Sequence, residues 1–244
     1  MIIGLIPSRL NSKRLKHKPL LKIDGLPIIV HSYKRSKLSK KLDDVIVCTD
    51  HKRIIDVVHE NGGKAIMTSK KHKNGTERIY EVAQKIKNAE LIIDIQGDQP
   101  LIDPNSIDKT IEFHKKNKHF DIVLPSVPIT EQPDNVSLVK NIFSGNRIIY
   151  FSRAKTPYNY KDKKITYYKN LSIVSFKPDA LKKFYKAKMG EIEKIEGIEL
   201  MRALELGMKI GTFVIKGLDF AVDVKTDLFK AINVMPKDKI RKLY

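Results

Sequence analysis

"MIIGLIPSRLNSKRLKHKPL", residues 1–20, joins two unlike pieces. Ile2 to Ile6 is a short run of branched apolar residues with no polar alternation, the pattern of a strand buried on both faces. Directly behind it, between Pro7 and Pro19, come Arg9, Lys13, Arg14, Lys16, His17 and Lys18. A dense cluster of positive charge therefore stands at the exit of the first buried strand.

Outward from this stretch, β-branched runs recur at residues 44–48, 64–67, 90–96 and 120–125, with helical periodicity between them at 27–38, 52–61, 76–86 and 104–117. Strand and helix in alternation predict an α/β fold, a parallel sheet with helices on both faces. Ligands of such sheets sit at the carboxyl ends of the strands, which puts the basic loop at the ligand edge. Residues 126–177 break the rhythm. Short strands are expected there at 138–143, 147–151 and 171–176, read as a β-rich lobe inserted into a single domain spanning 1–244. Helices at 178–185 and 196–206, a strand at 209–215 and a last helix after Val224 complete the expectation. Thr76, behind Asn74-Gly75, is the expected N-cap of its helix.

Composition narrows the classes. The chain has 244 residues, 41% hydrophobic and 31% charged, enough for a packed core. No apolar run approaches the ~18 residues of a membrane span, and no signal peptide is expected, since the apolar start lacks a basic n-region and a small-residue cleavage site. The single cysteine, Cys48, has no internal partner for a disulfide. A cytoplasmic location is expected, with no membrane partner. The net charge is +19, but 38 of the 47 basic residues are Lys spread over the whole chain. That reads as a solvated surface that favours anionic ligands, with no nucleic-acid partner expected.

Four stretches carry candidate chemistry. Arg9, Arg14 and Lys18 suit a polyphosphate. No glycine-rich phosphate motif is present, so side chains would do the binding; the plainer reading is a solvated basic loop. In "DIQGDQP", residues 94–100, Asp94, Gln96 and Asp98 share one face if the strand persists. A carboxylate there suits a hard divalent ion, whereas Gly-Asp also reads as a simple turn. Asp223, in "FAVDVKTDL", either caps the last helix or supplies a second metal carboxylate. In "NGTERI" a helix N-terminus and Arg78 offer donors to an anion or a base edge. The histidines show no metal-ligand spacing, Cys48 reads as an inert strand residue, and Ser8 and Ser152 lack a nucleophile-elbow setting.

In this order, and with "GLPIIVHSYKRS" (25–36), "VIVCTD" (45–50) and "IIYFSRAKTPY" (148–158), these pieces resemble the 3-deoxy-manno-octulosonate (Kdo) cytidylyltransferases, or CMP-Kdo synthetases. The resemblance runs from about residue 2 to 230. It implies a Rossmann-like nucleotidyltransferase fold with a mostly parallel sheet and a small β-rich dimerisation lobe. It also implies a homodimer, Mg²⁺ dependence and transfer from CTP to the anomeric hydroxyl of a sugar acid, with pyrophosphate released on the way to lipopolysaccharide. On the same basis Arg9, Arg14 and Lys18 hold the triphosphate, with Pro7, Ser8, Thr76, Arg78 and Gln96 at the nucleotide. Asp98 and Asp223 hold magnesium. Gln96, Arg153, Asn170 and Glu199 meet the sugar acid, and Arg14, Lys18 and Asp98 carry catalysis. The alternatives are a nucleotidyltransferase for a different acidic sugar or sugar phosphate, and a non-catalytic nucleic-acid-binding protein on this scaffold.

The chain departs from the family pattern at identifiable places. The loop usually written L-P-G-K-P is Leu15-Lys16-His17-Lys18-Pro19, and Gln99 replaces an acid after Q-G-D. Where the family has H-x-G-I-Y and L-E-Q-L-R, this chain has Asn170 to Val174 and Ile198 to Arg202, so Asn170, Val174 and Leu200 stand for a histidine, a tyrosine and a glutamine. Loss of hydrogen-bonding groups near a sugar is expected to move acceptor preference.

Overall fold

The computed structural model describes residues 1–12, 14–130, 132–161, 164–216 and 220–244. Lys13, part of the basic run, lies outside the described residues. The chain divides into two compact units, Met1–Lys109 with Leu218–Tyr244, and Thr110–Gly217. In chain order the first unit holds β1 (Ile2–Ser8), a hairpin of β2 (Lys22–Ile23) and β3 (Leu26–Pro27), α1 (Ile28–Lys37), β4 (Asp44–Thr49), α2 (Lys52–Glu60), β5 (Ala65–Met67), α3 (Gly75–Ala83) and β6 (Leu91–Ile95). The division falls within α4 (Pro104–Lys116). The second unit holds β7 (Ile122–Pro128), β8 (Lys140–Ser144), β9 (Arg147–Ser152), β10 (Tyr168–Asn170), β11 (Ile173–Phe176), α5 (Pro178–Lys186), α6 (Glu191–Glu196), α7 (Met201–Glu205) and β12 (Ile210–Val214). α8 (Lys225–Val234) returns to the first unit.

In the first unit β1 pairs in parallel with β4 on one side and β6 on the other, and β4 pairs in parallel with β5. A strand flanked on both edges and covered by helices has no solvated face, and all seven residues of β1 are buried. α1 is equally enclosed, with eight of its ten residues buried. Behind the basic loop, Leu15, Ile23, Ile28, Leu101, Val222, Ala231 and Met235 form one buried cluster, which ties the loop, the hairpin and α8 together.

In the second unit β7 pairs in parallel with β12 and antiparallel with β10 and β11, and β8 bridges β9 and β10. The strands of 126–177 do not make a sheet of their own; they extend the one built on β7 and β12.

Several sequence expectations are corrected. The strand expected at 171–176 is present as the shorter β11, and β10, separated from it by Leu171-Ser172, is a strand that the sequence pattern did not indicate. The helix expected at 196–206 is shortened to α7, because the chain turns left-handed at Gly197 (φ 61°), where a separate and unexpected helix, α6, ends. Thr76 is not an N-cap. Asn74 is, its side chain accepting from Glu77 N at 2.8 Å, and Thr76 lies inside α3. Strand β6 ends at Ile95, so Asp94, Gln96 and Asp98 do not share a strand face.

Candidate active site

Parallel pairing brings the carboxyl ends of β6, β1 and β4 to one edge, where Ser8 lies level with Thr49 and Leu5 with Asp94. The chain leaves each strand there as a loop, and the loops enclose a cleft of about 680 Å³. Pro7, Ser8, Arg9, Ser12, Arg14 and Lys18 line it from the first loop. Gln96, Gly97 and Asp98 line it from the loop after β6, and His72 to Gly75 with Arg78 from the start of α3. Asp223 completes the wall. Thr76 is buried and does not line the cleft.

The centre of this site is a set of four charges. Lys18 Nζ donates to Asp98 Oδ2 at 2.7 Å and to Asp223 Oδ1 at 3.0 Å. Arg14 Nη2 lies 2.8 Å from the same Asp223 oxygen. Residues 205 positions apart meet because backbone bonds hold them there. Val222 N donates to Asp98 O at 3.0 Å, and Phe220 N donates to Gln99 Oε1 at 3.2 Å. Gln99, the residue that replaces an acid, is thus a buried neutral acceptor. The segment before α8 is held against the turn after β6, and Asp223 lands beside Asp98.

Asp223 does not cap α8. Asp227 does, its Oδ2 accepting from Asp223 N and Val224 N, both at 3.0 Å. The Asp223 carboxylate is thereby left to face the cations. At the turn itself Gly97 is required by close approach, since a Cβ would stand 2.9 Å from Pro7 O.

Arg78 lines the cleft, but its guanidinium is engaged. It donates to Thr68 Oγ1 at 2.5 Å and Asp50 Oδ2 at 3.2 Å. Asp50 also accepts from Leu10 N at 3.3 Å, so this carboxylate ties the loop after β1 to α3. The pattern of "VIVCTD" does not by itself assign Asp50 a role; the signal it carries is the place of Asp50 just after a parallel strand. His72 was passed over too. Its Nε2 lies 2.5 Å from Glu81 Oε2, which also accepts from Ser69 N at 2.9 Å. Burial raises the Glu81 carboxyl, but these hydrogen bonds outweigh it and leave the group below the usual carboxylate range. Gln96 points a donor at buried Asp94, 2.9 Å away, and Arg9 is exposed at the rim.

The remaining sugar-acid candidates belong to the second unit. Arg153 spends Nε on Glu196 O (2.7 Å), Nη1 on Val136 O (2.9 Å) and Nη2 on Gly197 O (3.1 Å). It braces the turn between α6 and α7, next to Glu199 and Leu200. Beneath it, Lys140 Nζ donates to Arg153 O and Asn135 O, each at 2.7 Å, and burial pushes this ammonium below the usual lysine range. Asn170 ends β10 opposite Ser126 of β7, and Asn170, Val174, Glu199 and Leu200 are all half-buried.

Comparison with known proteins agrees with this architecture. The family model described as cytidylyltransferase matches residues 3–210. The 3-deoxy-manno-octulosonate cytidylyltransferase of Fusobacterium nucleatum is 39% identical over 98% of both chains. The 8-amino-3,8-dideoxy-manno-octulosonate cytidylyltransferase of Shewanella piezotolerans is 40% identical over 84% of this chain and 86% of its own. A solved structure of CMP:2-keto-3-deoxy-manno-octonic acid synthetase complexed with CTP superimposes with a TM-score of 0.93. It shares 31% identity and covers 97% of this chain and 98% of its own. A sheet that gathers cations and carboxylates at its ligand edge, in a chain matched end to end by such relatives, makes the protein a member of the cytidylyltransferase family, the group of nucleotidyltransferases to which the 3-deoxy-manno-octulosonate cytidylyltransferases belong.

Proposed function

We propose that this enzyme transfers the cytidylyl group of CTP to the anomeric hydroxyl of a 3-deoxy-2-keto sugar acid, 3-deoxy-manno-octulosonate or a close relative such as its 8-amino form. The hydroxyl oxygen bonds to the α-phosphorus as its proton passes to solvent, the bond from the α-phosphorus to the bridging oxygen breaks, and pyrophosphate leaves with that oxygen. The observation that carries this reading is the convergence of Arg14, Lys18, Asp98 and Asp223 on one wall of a cleft at the strand ends.

Arg9, Arg14 and Lys18 bind the triphosphate. A charge-assisted hydrogen bond contributes about 1.5–3 kcal/mol, and bonds that strengthen as charge moves onto the leaving pyrophosphate lower the barrier. The donor set also fits a magnesium ion. Two hard carboxylate oxygens, from Asp98 and Asp223, lie within 3.0 Å of a single cationic nitrogen, so they converge on one point of positive charge. Those two residues would hold the ion. The chemistry it supplies is polarisation of the phosphoryl group and a lowered pKa for the attacking hydroxyl. Gln96, Arg153, Asn170 and Glu199 are the side chains assigned to the sugar acid. A homodimer, a cytoplasmic location and a product used in lipopolysaccharide assembly complete the reading. Among the described residues no helix is long and apolar enough to cross a membrane.

Relatives of both acceptor types match this chain at similar identity. Asn170, Val174 and Leu200 favour a modified acceptor, because a site with fewer hydrogen-bonding groups loses its grip on specific hydroxyls. The test is pyrophosphate release with CTP and Mg²⁺ across Kdo, 8-amino-Kdo, sialic-type acids and no acceptor. Release with an octulosonate is expected, with Asp98→Asn losing turnover far more than CTP affinity. Near-normal turnover in that variant defeats the metal assignment; silence with every octulosonate defeats the substrate class.

A further inference from the structure

Two cations and two carboxylates neutralise one another at the cleft wall. Lys18 bridges Asp98 and Asp223, and Arg14 takes the Asp223 oxygen that Lys18 shares. The Lys18 side chain is 13% exposed and Asp98 and Asp223 are 27% and 36% exposed, so the ammonium is held within the cleft wall while the carboxylates stay reachable from solvent. On the reading above, a triphosphate needs the cations and a divalent ion needs the carboxylates. Both demands fall on the same pairs. A ligand that takes one member frees the other.

We propose that Lys18 is the resident counter-ion of Asp98 and Asp223 and is exchanged when the nucleotide arrives. Nucleotide and divalent cation then bind as a linked pair, and the nucleotide-free enzyme holds divalent cations weakly. The proposal rests on the cleft being the site of CTP. The backbone suits such an exchange. Lys18 N donates to Leu15 O (3.1 Å), Leu20 N to His17 O (2.9 Å) and Leu21 N to Lys18 O (3.2 Å), while Leu15 and Pro19 are buried. The Cα of Lys18 is therefore fixed, and its flexible four-carbon stem carries the ammonium from one partner to another. Asp98 and Asp223 are held from their own side by the bonds of Val222 and Asp227. Each carboxylate sits on a one-carbon stem from a fixed backbone, so it shifts less than the ammonium on its four-carbon stem.

Linkage makes the effect reciprocal, since whatever factor nucleotide adds to cation affinity, the cation adds to nucleotide affinity. Direct attraction between the ion and the phosphates contributes as well, so the discriminating measurement leaves the nucleotide out. Mn²⁺ is titrated into the nucleotide-free protein and the free ion is counted by electron paramagnetic resonance. Lys18→Met is expected to bind Mn²⁺ about tenfold more tightly than the wild type, within the usual range of coupling between sites. Lys18→Met/Asp98→Asn loses that gain. Arg14→Gln removes an exposed side chain and one partner of Asp223, and a gain of about twofold or more is expected from it; it decides the matter if Lys18→Met does not fold. Unchanged or weaker Mn²⁺ binding in the folded variants overturns the proposal. A gain in Mn²⁺ affinity alongside silence in the acceptor panel retains the exchange and removes the substrate class. Turnover on the panel without the gain does the reverse.

Discussion

His17 sits in the left-handed region, at φ 55° and ψ 32°, just before the short turn that presents Lys18. The family pattern has glycine at this position, and the loop keeps the glycine's conformation without the glycine. A residue with a Cβ incurs about 1–2 kcal/mol there. Glycine would relieve that cost but lose about 0.5–1 kcal/mol through the greater freedom of its unfolded chain. His17→Gly is expected to raise stability by up to about 1 kcal/mol, read as a higher thermal midpoint, with turnover retained. A lowered midpoint would mean that the imidazole makes a contact worth more than the strain. The same residue shows how much of the site the sequence carried. Arg14, Lys18, Asp98 and Asp223 were legible as candidates because clustered cations behind a buried strand and carboxylates directly after apolar runs point to ligand chemistry. That all four meet on one wall was implied by the family resemblance but not by the residue pattern, because it depends on Val222 N finding Asp98 O from 124 positions away along the chain.

Elements were legible where period was strong. β1, β4, β6, α1 and α2 fall within a few residues of their expected bounds, because buried parallel strands and amphipathic helices write their pattern into ten-residue windows. Short elements escaped. The β2–β3 hairpin has two-residue strands, too brief for any alternation. Its turn was nevertheless written in "IDGL": Asp24 and Gly25 take φ 45° and 81°, the paired positive angles of a tight hairpin turn. The final helix shows why capping needs structure, since Asp223 and Asp227 are both plausible caps and only geometry selects Asp227. α4 carries a prediction of its own. His114 is buried against Ser175 Oγ (2.7 Å) and Phe120 O (3.3 Å), and burial pushes its pKa from 6.5 down to about 4. The folded protein keeps this imidazole neutral while the unfolded chain protonates it at pH 6.5. Stability is therefore intact above that pH and drains as pH falls towards 4, by at most about 3 kcal/mol. Urea titrations at pH 7.5 and 4.5 should show a smaller acid loss in His114→Gln than in the wild type. An equal loss in both would clear His114 and shift the acid sensitivity to other groups, such as buried His31, whose pKa is also lowered.

Charge is the property that belongs to the molecule as a whole. A net +19 on 244 residues invites a nucleic-acid reading, whereas the cleft concentrates only Arg9, Arg14, Lys18 and a few neighbours against a small anion. These two pictures respond differently to salt. Scattered lysines produce a diffuse field that draws any anion in and is screened over a Debye length, about 30 Å at 0.01 M and 8 Å at 0.15 M. Direct bonds from Arg14 and Lys18 to phosphate oxygens act at contact distance and are screened much less. Raising ionic strength should therefore lower kcat/KM for CTP through slower capture, by about threefold or more over a tenfold rise in salt, while kcat stays nearly constant. Duplex DNA should compete with CTP weakly at physiological salt, because a duplex needs a continuous line of cations matched to its phosphates and the loops of this cleft supply a pocket instead. Strong, steeply salt-dependent inhibition by DNA would mean that the surface lysines form such a line, and the bulk charge would then be a binding surface in its own right. A kcat that falls with salt as fast as kcat/KM would mean that the long-range field acts on the chemical step as well as on capture.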